Sequence, residues 1–254
     1  LFIFVAFFSC NNNSNKYEVD ESKRGLIVEK AMVVSARIEA SKIGTDILKK
    51  GGNAFDAMAA TQLALAVAYP VGGNIGGGGF MVYRKANGEV GALDYREKAP
   101  LAATKDMYLD SLGNVIPEKS TLGVMSVGVP GSIAGVFAVH ERLGSLPIED
   151  IIKPSIDLAF RGVVVTKKQE SRIKRSQESF LKANNDTILF VKEWKENDTI
   201  KYPALAETLT RIMKNGRDEF YKGETAERLV RFIQDNGGIL TKEDLAKYKV
   251  SWRR

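Results

Sequence analysis

The sequence has only one cysteine and one histidine, and these two shortages limit the kinds of site it can form. The single cysteine, Cys10, cannot form a disulfide within the chain, so cysteine pairing gives no information about the redox compartment. The single histidine, His140, has no cysteine or second histidine near it in the sequence, which argues against a metal site. No nucleophile accompanies His140 in a pattern typical of a serine-type triad. We therefore expect neither a metal site nor a bound cofactor.

The sequence also lacks an apolar run long enough to cross a membrane, which takes about 20 residues. The apolar stretch at residues 1–8 is shorter and is typical of a signal-peptide hydrophobic region. Ser9-Cys10 and the polar residues 11–15 predict a lipoprotein cleavage site with Cys10 lipidated. The alternative is an ordinary signal-region cysteine that is removed. We assign residues 1–24 to a clipped signal or lipoprotein segment with a polar tether. We expect an exported protein, either periplasmic or anchored to a membrane.

The chain is positively charged, but its sequence contains no nucleic-acid-binding motif. The formal net charge is +6, spread over many lysines, with one basic run at residues 167–175. A solvated helix face explains that run, because aromatic residues are not interleaved with the charges. We therefore expect no nucleic-acid partner.

Glycine is concentrated where the sequence is most informative. Residues 71–100 read VGGNIGGGGFMVYRKANGEVGALDYREKAP and place six glycines at positions 72–79. Glycine permits positive φ and close approach of the backbone to another surface. The run precedes a predicted strand and is followed by no Gly-Lys-Ser/Thr, which argues against a phosphate loop or a dinucleotide site. Asn87-Gly88 predicts a hairpin turn between two strands, 80–84 and 90–96.

Arg96 lies at the end of the second predicted strand, close to the glycine run. An arginine fork recognises a carboxylate with two parallel hydrogen bonds. The other interpretation is a structural ion pair between Arg96 and either Asp94 or Glu97. The spacing alone does not separate these two interpretations.

Three segments together resemble the large subunit of the γ-glutamyltranspeptidases. They are Lys50-Gly-Gly-Asn-Ala-Phe-Asp-Ala, the glycine run with Leu93-Asp-Tyr-Arg-Glu-Lys-Ala-Pro, and Val127-Gly-Val-Pro-Gly-Ser. They occur in the family's order, and the resemblance extends from about residue 31 to the end of the sequence. It implies an α+β fold, the αββα layered sandwich of the N-terminal-nucleophile hydrolases, of which residues 25–254 form the large-subunit portion. It also implies that Arg96 holds the α-carboxylate of the γ-glutamyl substrate, with a weaker claim for Glu97.

The same resemblance implies chemistry that these residues do not complete. The family's nucleophile is the threonine that becomes the N-terminus of the small subunit after self-cleavage. The family signature Thr-Thr-His-x-Ser is absent from the sequence, so we place the nucleophile beyond Arg254 and no catalytic residue within this chain. The implied partners are glutathione or another γ-glutamyl donor, water or an amino acid or dipeptide acceptor, and the small subunit of the same precursor.

Two other functions stay open at this stage. One is a lipid-anchored amino-acid-binding protein that uses Arg96 as a carboxylate clamp and performs no catalysis. The other is a related acylase for glutaryl-type substrates, since the same arginine could hold a carboxylate there.

Capping residues and apolar patterns predict the remaining elements. Ser35 and Asn53 are predicted N-caps of the first two helices, and Thr241 with Asp244 has capping-box spacing. The predicted strands are 26–28, 32–34, 122–129 and one that begins near 251. The predicted helices are 36–50, 54–69, 132–143, 154–161, a polar helix through 167–175, 203–214, 224–235 and 242–248.

Overall fold

The computed structural model describes residues 25, 27–184 and 188–253. The signal segment, Cys10 and the tether predicted at 1–24 lie outside this range. The chain divides into a short unit that ends at Met32 and a compact unit from Val33 onward. The described residues from Ile27 to Val34 contain no helix or strand, so the strands predicted at 26–28 and 32–34 are wrong. Ile27 and Val34 are exposed, and an apolar run that finds no pairing partner does not become a strand.

Nine helices and five strands are formed by the described residues. The helices are α1 Ile38–Lys49, α2 Ala54–Ala68, α3 Ser132–Leu143, α4 Ile148–Arg161, α5 Lys167–Ala183, α6 Pro203–Asn215, α7 Arg217–Tyr221, α8 Glu224–Asp235 and α9 Lys242–Lys247. The strands are β1 Phe80–Arg84, β2 Val90–Asp94, β3 Val163–Val164, β4 Thr199–Ile200 and β5 Ser251–Arg253. None of the described helices is both long and apolar enough to cross a membrane.

Helix α2 is the centre of the larger core. Its N-terminus carries a capping box in which the Asn53 side chain and the Asp56 side chain each accept a backbone N–H. The helix is apolar nearly all round, as expected for a buried element, and it packs against α1, α3 and α4. Gly44 of α1 lets the two helices approach closely, because a β-carbon there would lie 3.2 Å from the Ala57 carbonyl oxygen.

The second element that matters for the site is a three-stranded antiparallel sheet in the order β1-β2-β5. Phe80 pairs with Asp94, and Leu93 pairs with Trp252. One face of the sheet buries Met81 and Leu93 against α2 and α3. The other face leaves Phe80, Val82 and Val90 exposed. The sheet is therefore covered by helices on one side only in the part of the chain that the structure describes.

Several predicted boundaries differ from the structure. Helix α1 begins at Ile38 with Arg37 as N-cap and has no side-chain cap, since the Ser35 hydroxyl instead donates to the Arg37 carbonyl at 2.8 Å. The strand predicted at 122–129 is a single 3-10 turn, Val124–Ser126, followed by one bridge from Val129 to Lys98. Gly123 has φ of 81°, which breaks an extended run.

The start of one helix was predicted wrongly from a proline. Pro154 lies inside α4 and does not begin it, because Pro147 takes the N-cap position and the helix is already formed when it reaches residue 154. The short helix α7 and the strands β3 and β4 had no prediction.

Candidate functional site

The glycine run at residues 72–79 forms a layer of backbone, the glycine layer, which packs between residues 95–97 and the start of α3. A β-carbon on Gly78 would lie 2.5 Å from the Tyr95 carbonyl oxygen and 2.7 Å from the Glu97 nitrogen. The Gly77 carbonyl accepts hydrogen bonds from the N–H groups of Gly131 at 2.7 Å and Ser132 at 2.9 Å, at the start of α3. None of the glycines at 72–79 has positive φ. Close approach, and not an unusual dihedral angle, is therefore what requires glycine here.

The predicted hairpin places Arg96 beside the glycine layer. Gly88 has φ of 89° in the turn, and Lys85 N–H donates to the Glu89 carbonyl at 2.8 Å to close it. After β2, Tyr95 exchanges backbone hydrogen bonds with Gly79 at 2.9 and 3.3 Å. The chain around Arg96 is thus held beside the glycine run.

The Arg96 guanidinium points mainly toward solvent, with 62% of its side chain exposed. Its Nε lies 3.4 Å from Glu97 Oε2, and its ζ-carbon lies 5.9 Å from the centre of the Phe80 ring. Glu97 Oε2 is buried and makes no hydrogen bond with the residues that the structure describes. Arg96 and Glu97, the two residues predicted for the site, are therefore neighbours with unused hydrogen-bonding capacity.

Asp94 is not the ion-pair partner of Arg96. Its Oδ2 lies 2.5 Å from the Arg253 guanidinium, and its Oδ1 accepts the backbone N–H of Arg96 at 3.1 Å. The hydrogen bond from Arg253 and then that from Arg96 N–H hold the pKa of Asp94 below its usual value. Arg253 of β5 thus satisfies Asp94, and the Arg96 side chain keeps its terminal donors.

A small cavity of about 120 Å³ lies near this segment, but Arg96 does not line it. Its walls are Lys98, Ala99, Leu101, Val129, Asp244, Lys247 and Tyr248. The volume is well below the few hundred Å³ that are usual for a ligand pocket. The open surface at Arg96 is therefore the better candidate for binding.

Comparison with known proteins identifies the family. The sequence model of the family described as Gamma-glutamyltranspeptidase matches residues 40–254. The chain belongs to this family. Two curated relatives named "Glutathione hydrolase proenzyme" are those of Pseudomonas sp. strain A14, at 45% identity over 87% of this chain, and of Escherichia coli K12, at 42% identity over 87%. This chain spans 39% of the length of each of these two relatives.

The fold agrees with that assignment. The crystal structure of Helicobacter pylori γ-glutamyltranspeptidase superposes with a TM-score of 0.87 at 42% identity. The match covers 91% of this chain and 67% of that chain. The predicted α+β architecture of the family's αββα sandwich is confirmed, and the described residues supply nine helices, a three-stranded sheet and the two-stranded pair of β3 and β4.

The site includes residues that the sequence alone did not single out for a function. Tyr248 donates a hydrogen bond to the Arg96 carbonyl at 2.7 Å, and Lys98 Nζ donates to the Lys249 carbonyl at 2.7 Å. These contacts join residues about 150 positions apart, so no local pattern could have revealed them. Gly131 was visible as part of a family motif, although its close approach to Tyr95 and Tyr248 was not.

Two other polar residues, Asp56 in the first of the three family segments and His140, make hydrogen-bonding contacts within the fold. Asp56 is fully buried, and its carboxylate accepts from Asn53 N–H at 2.9 Å, Ser145 N–H at 3.0 Å and the Ser145 hydroxyl at 2.6 Å. Burial alone would raise the pKa of Asp56, but these hydrogen bonds outweigh it and lower the pKa. His140 Nε2 lies 2.7 Å from the Leu146 carbonyl, near the end of α3.

Proposed function

We propose that the protein containing this chain transfers the γ-glutamyl group of glutathione or a related donor to water, or to an amino acid or dipeptide. Family membership and the names of the curated relatives support this reaction. The observation that carries the proposal for the site is the exposed Arg96 fork beside the glycine layer. In this proposal Arg96 binds the α-carboxylate of the donor.

The contacts of Arg96 support this role. A guanidinium has five N–H donors, and its planar edge matches a carboxylate. Glu97 lies on the Nε side at 3.4 Å, and Asp94 is already paired with Arg253. The two terminal nitrogens are therefore available to form parallel hydrogen bonds with a substrate carboxylate. In this proposal Glu97 steadies the Nε side of the guanidinium and does not contact the reacting atoms.

The chemical step uses a group from elsewhere in the precursor. We propose an N-terminal threonine on a second subunit, whose α-amine has an ordinary pKa of about 7.7–8.0 and so can act as the base near neutral pH. The threonine oxygen attacks the γ-carbonyl of the donor, and the amine takes the hydroxyl proton. The leaving amine departs with a proton, and the acyl-enzyme is then cleaved by water or by an acceptor amine. Arg96 contributes by fixing the distance between the γ-carbonyl and the nucleophile.

The exposed face of the sheet supports a second subunit as the partner. Phe80, Val82 and Val90 share this face, and each is more than 60% exposed. Apolar side chains gathered on one face mark a surface that is usually covered by another element. The small subunit of the same precursor is the proposed cover.

We also propose that the protein is exported and that Cys10 is its lipid attachment point. The support comes from the sequence, in which an apolar run ends at Ser9-Cys10 before a polar tether. The positions concerned lie outside the described residues.

Arg96→Lys in the complete precursor tests the role of Arg96. Lysine keeps the charge but loses the fork. A hydrogen bond to a charged group contributes about 1.5–3 kcal/mol, so the KM for a chromogenic γ-glutamyl amide should rise by about ten- to a hundredfold. Self-cleavage and melting temperature should stay close to those of the parent, because neither needs a bound donor. Arg175→Lys, at an exposed arginine of α5, is the matched control and should leave KM unchanged.

Other outcomes separate the alternatives. A poorly matured and less stable Arg96→Lys enzyme with unchanged KM would show that Arg96 only braces the structure. Binding of a γ-glutamyl compound by the complete protein without turnover would support the amino-acid-binding function. Faster turnover of a glutaryl amide than of a γ-glutamyl amide would support the acylase.

A further inference from the structure

Arg96 has no deep pocket around its side chain, so its position depends on its main chain. The guanidinium is 62% exposed and has one carboxylate, Glu97, at 3.4 Å. The main chain, in contrast, is fixed on two sides. Gly78 packs against residues 95–97 on one side, and on the other the Tyr248 hydroxyl donates to the Arg96 carbonyl at 2.7 Å.

Tyr248 is itself held rigidly. Its ring stacks on the ring of Tyr221 with 5.7 Å between centres and 18° between planes. The Arg217 guanidinium lies 4.3 Å from the centre of the Tyr221 ring and donates to the Tyr248 carbonyl at 2.7 Å. Tyr221 in turn donates to the Pro130 carbonyl at 2.9 Å, next to the start of α3. The hydroxyl of Tyr248 is therefore presented from a packed aromatic pair.

Tyr248 follows helix α9, which is attached to the segment after Arg96 at further points. The Leu101 N–H donates to Asp244 Oδ1 at 2.6 Å, and Lys98 Nζ donates to the Lys249 carbonyl at 2.7 Å. Asp244 is fixed by its capping box with Thr241. The segment from Thr241 to Arg253 thus follows residues 94–101 along their length.

The Tyr248 hydroxyl is a permanent donor. Burial, and then the negative charges of Asp94 and Glu97, raises the pKa of Tyr248 to about 12. The hydroxyl therefore keeps its proton at any pH at which the enzyme would work.

We propose that Tyr248 is a positioning residue for Arg96. Its hydrogen bond fixes the Arg96 carbonyl, and the guanidinium is thereby held where the donor carboxylate arrives. Tyr248 itself does not touch the substrate. This inference rests on the proposed carboxylate-binding role of Arg96.

Tyr248→Phe in the complete precursor tests the inference, since it removes the hydroxyl and keeps the stacked ring. A neutral hydrogen bond of this kind corresponds to about a two- to tenfold rise in donor KM. Tyr202→Phe is the matched control, because the Tyr202 hydroxyl is also buried but has no hydrogen-bond partner among the described residues. Tyr202→Phe should leave KM, maturation and melting temperature unchanged.

The decisive measurement repeats Tyr248→Phe in an Arg96→Ala background. If Tyr248 acts through Arg96, the second substitution should add no further rise in KM. An equal rise in both backgrounds would overturn the inference, as would an unchanged KM in Tyr248→Phe alone. Arg96→Ala with normal donor KM would instead refute the proposed role of Arg96 itself, so the two failures are distinguishable.

A second measurement, which does not require enzyme activity, applies if Tyr248→Phe fails to mature. Hydrogen exchange by mass spectrometry should show faster exchange in Tyr248→Phe for peptides that contain residues 95–98. Peptides from α1 and α4 should be unaffected. Unchanged exchange at 95–98 would contradict the inference.

Discussion

Alanine substitution at two glycines of the same loop tests whether the glycine layer exists because of backbone contact. At Gly78 a β-carbon would lie 2.5 Å from the Tyr95 carbonyl oxygen, 2.7 Å from the Glu97 nitrogen and 2.9 Å from the Arg96 carbonyl carbon. All three atoms belong to the backbone, so no side chain can rotate away to relieve the overlap. At Gly76 the nearest atom, Asn74 Oδ1, is 3.7 Å away, which is an ordinary contact.

The expected magnitudes follow from these distances. Overpacking of this kind costs about 1–3 kcal/mol of folding free energy. Replacing glycine by alanine also restricts the unfolded chain, which stabilises by about 0.4–1 kcal/mol wherever the native backbone accepts alanine. That gain is common to both variants and cancels in their difference. Gly78→Ala should therefore be less stable than Gly76→Ala by about 1–3 kcal/mol.

Urea unfolding of this chain, followed by circular dichroism, measures that difference directly. For a chain of this size about 1 kcal/mol corresponds to about 2–4 °C in melting temperature, so a thermal scan should separate the two variants by several degrees. Gly76→Ala should match or slightly exceed the parent in stability. Equal stability of the two alanine variants would refute the reasoning, since it would mean that the loop is not packed against residues 95–97.

Two further predictions concern other parts of the chain. Asp56→Asn should lower the free energy of unfolding by about 1.5–3 kcal/mol at pH 7, because a buried carboxylate that accepts hydrogen bonds from Asn53 and Ser145 is replaced by an amide. The pKa of Asp56 in the folded protein is below its ordinary value of 3.8, so its contribution to folding stability is present above that pH and is lost as the pH falls through the folded pKa. Urea unfolding of Asp56→Asn should therefore depend less on pH than that of the parent below about pH 4. An identical pH dependence of parent and variant would contradict this. Cys10→Ala should abolish incorporation of a fatty-acid analogue when the complete gene is expressed in bacteria, and equal labelling of parent and variant would show that Cys10 is not lipidated.

The helices with strong local signals were predictable from the sequence. Helix α2 begins after an Asn53 cap and stops before Pro70, and α3 runs from the residue after Gly131 to the residue before Gly144. The hairpin of β1 and β2 was likewise readable from its Asn-Gly turn. In each case the residues that determine the boundary are within a few positions of it.

The elements that the sequence did not predict correctly depend on distant contacts. The apolar residues at 32–34 read as a strand, but no partner strand pairs with them in the described part of the chain. Helix α7 has only five residues, too few for an amphipathic pattern to be recognised. Strands β3 and β4 are two residues each and exist because they pair with one another across about 35 positions.

The candidate site was likewise predictable only where its signals are local in the sequence. Arg96 and Glu97 could be proposed from the sequence because an arginine fork and a glycine run are visible locally. The choice between a binding arginine and a structural one could not be made from the sequence, since it depends on the contacts that Asp94 and Glu97 make in the fold. In the structure Asp94 pairs with Arg253, a residue 159 positions away, and Glu97 Oε2 lies 3.4 Å from Arg96 Nε, so of the two structural ion pairs considered only the one with Glu97 is present.

The contacts of residues 94–101 show that the position of this segment depends on residues 244–253. Asp94, Arg96, Lys98 and Leu101 each bond to a residue between 244 and 253. The hairpin can form from residues 80–94 alone, because its turn and pairing are local. The placement of Arg96 after the hairpin is not only local, because without α9 and β5 its main chain would lose the hydrogen bond from Tyr248 and keep the glycine layer, the Asp94 contact and the Lys98–Val129 bridge. A shorter piece that stops before residue 241 would therefore keep every residue of the family's glycine and arginine motif, yet lose the contacts that orient the arginine.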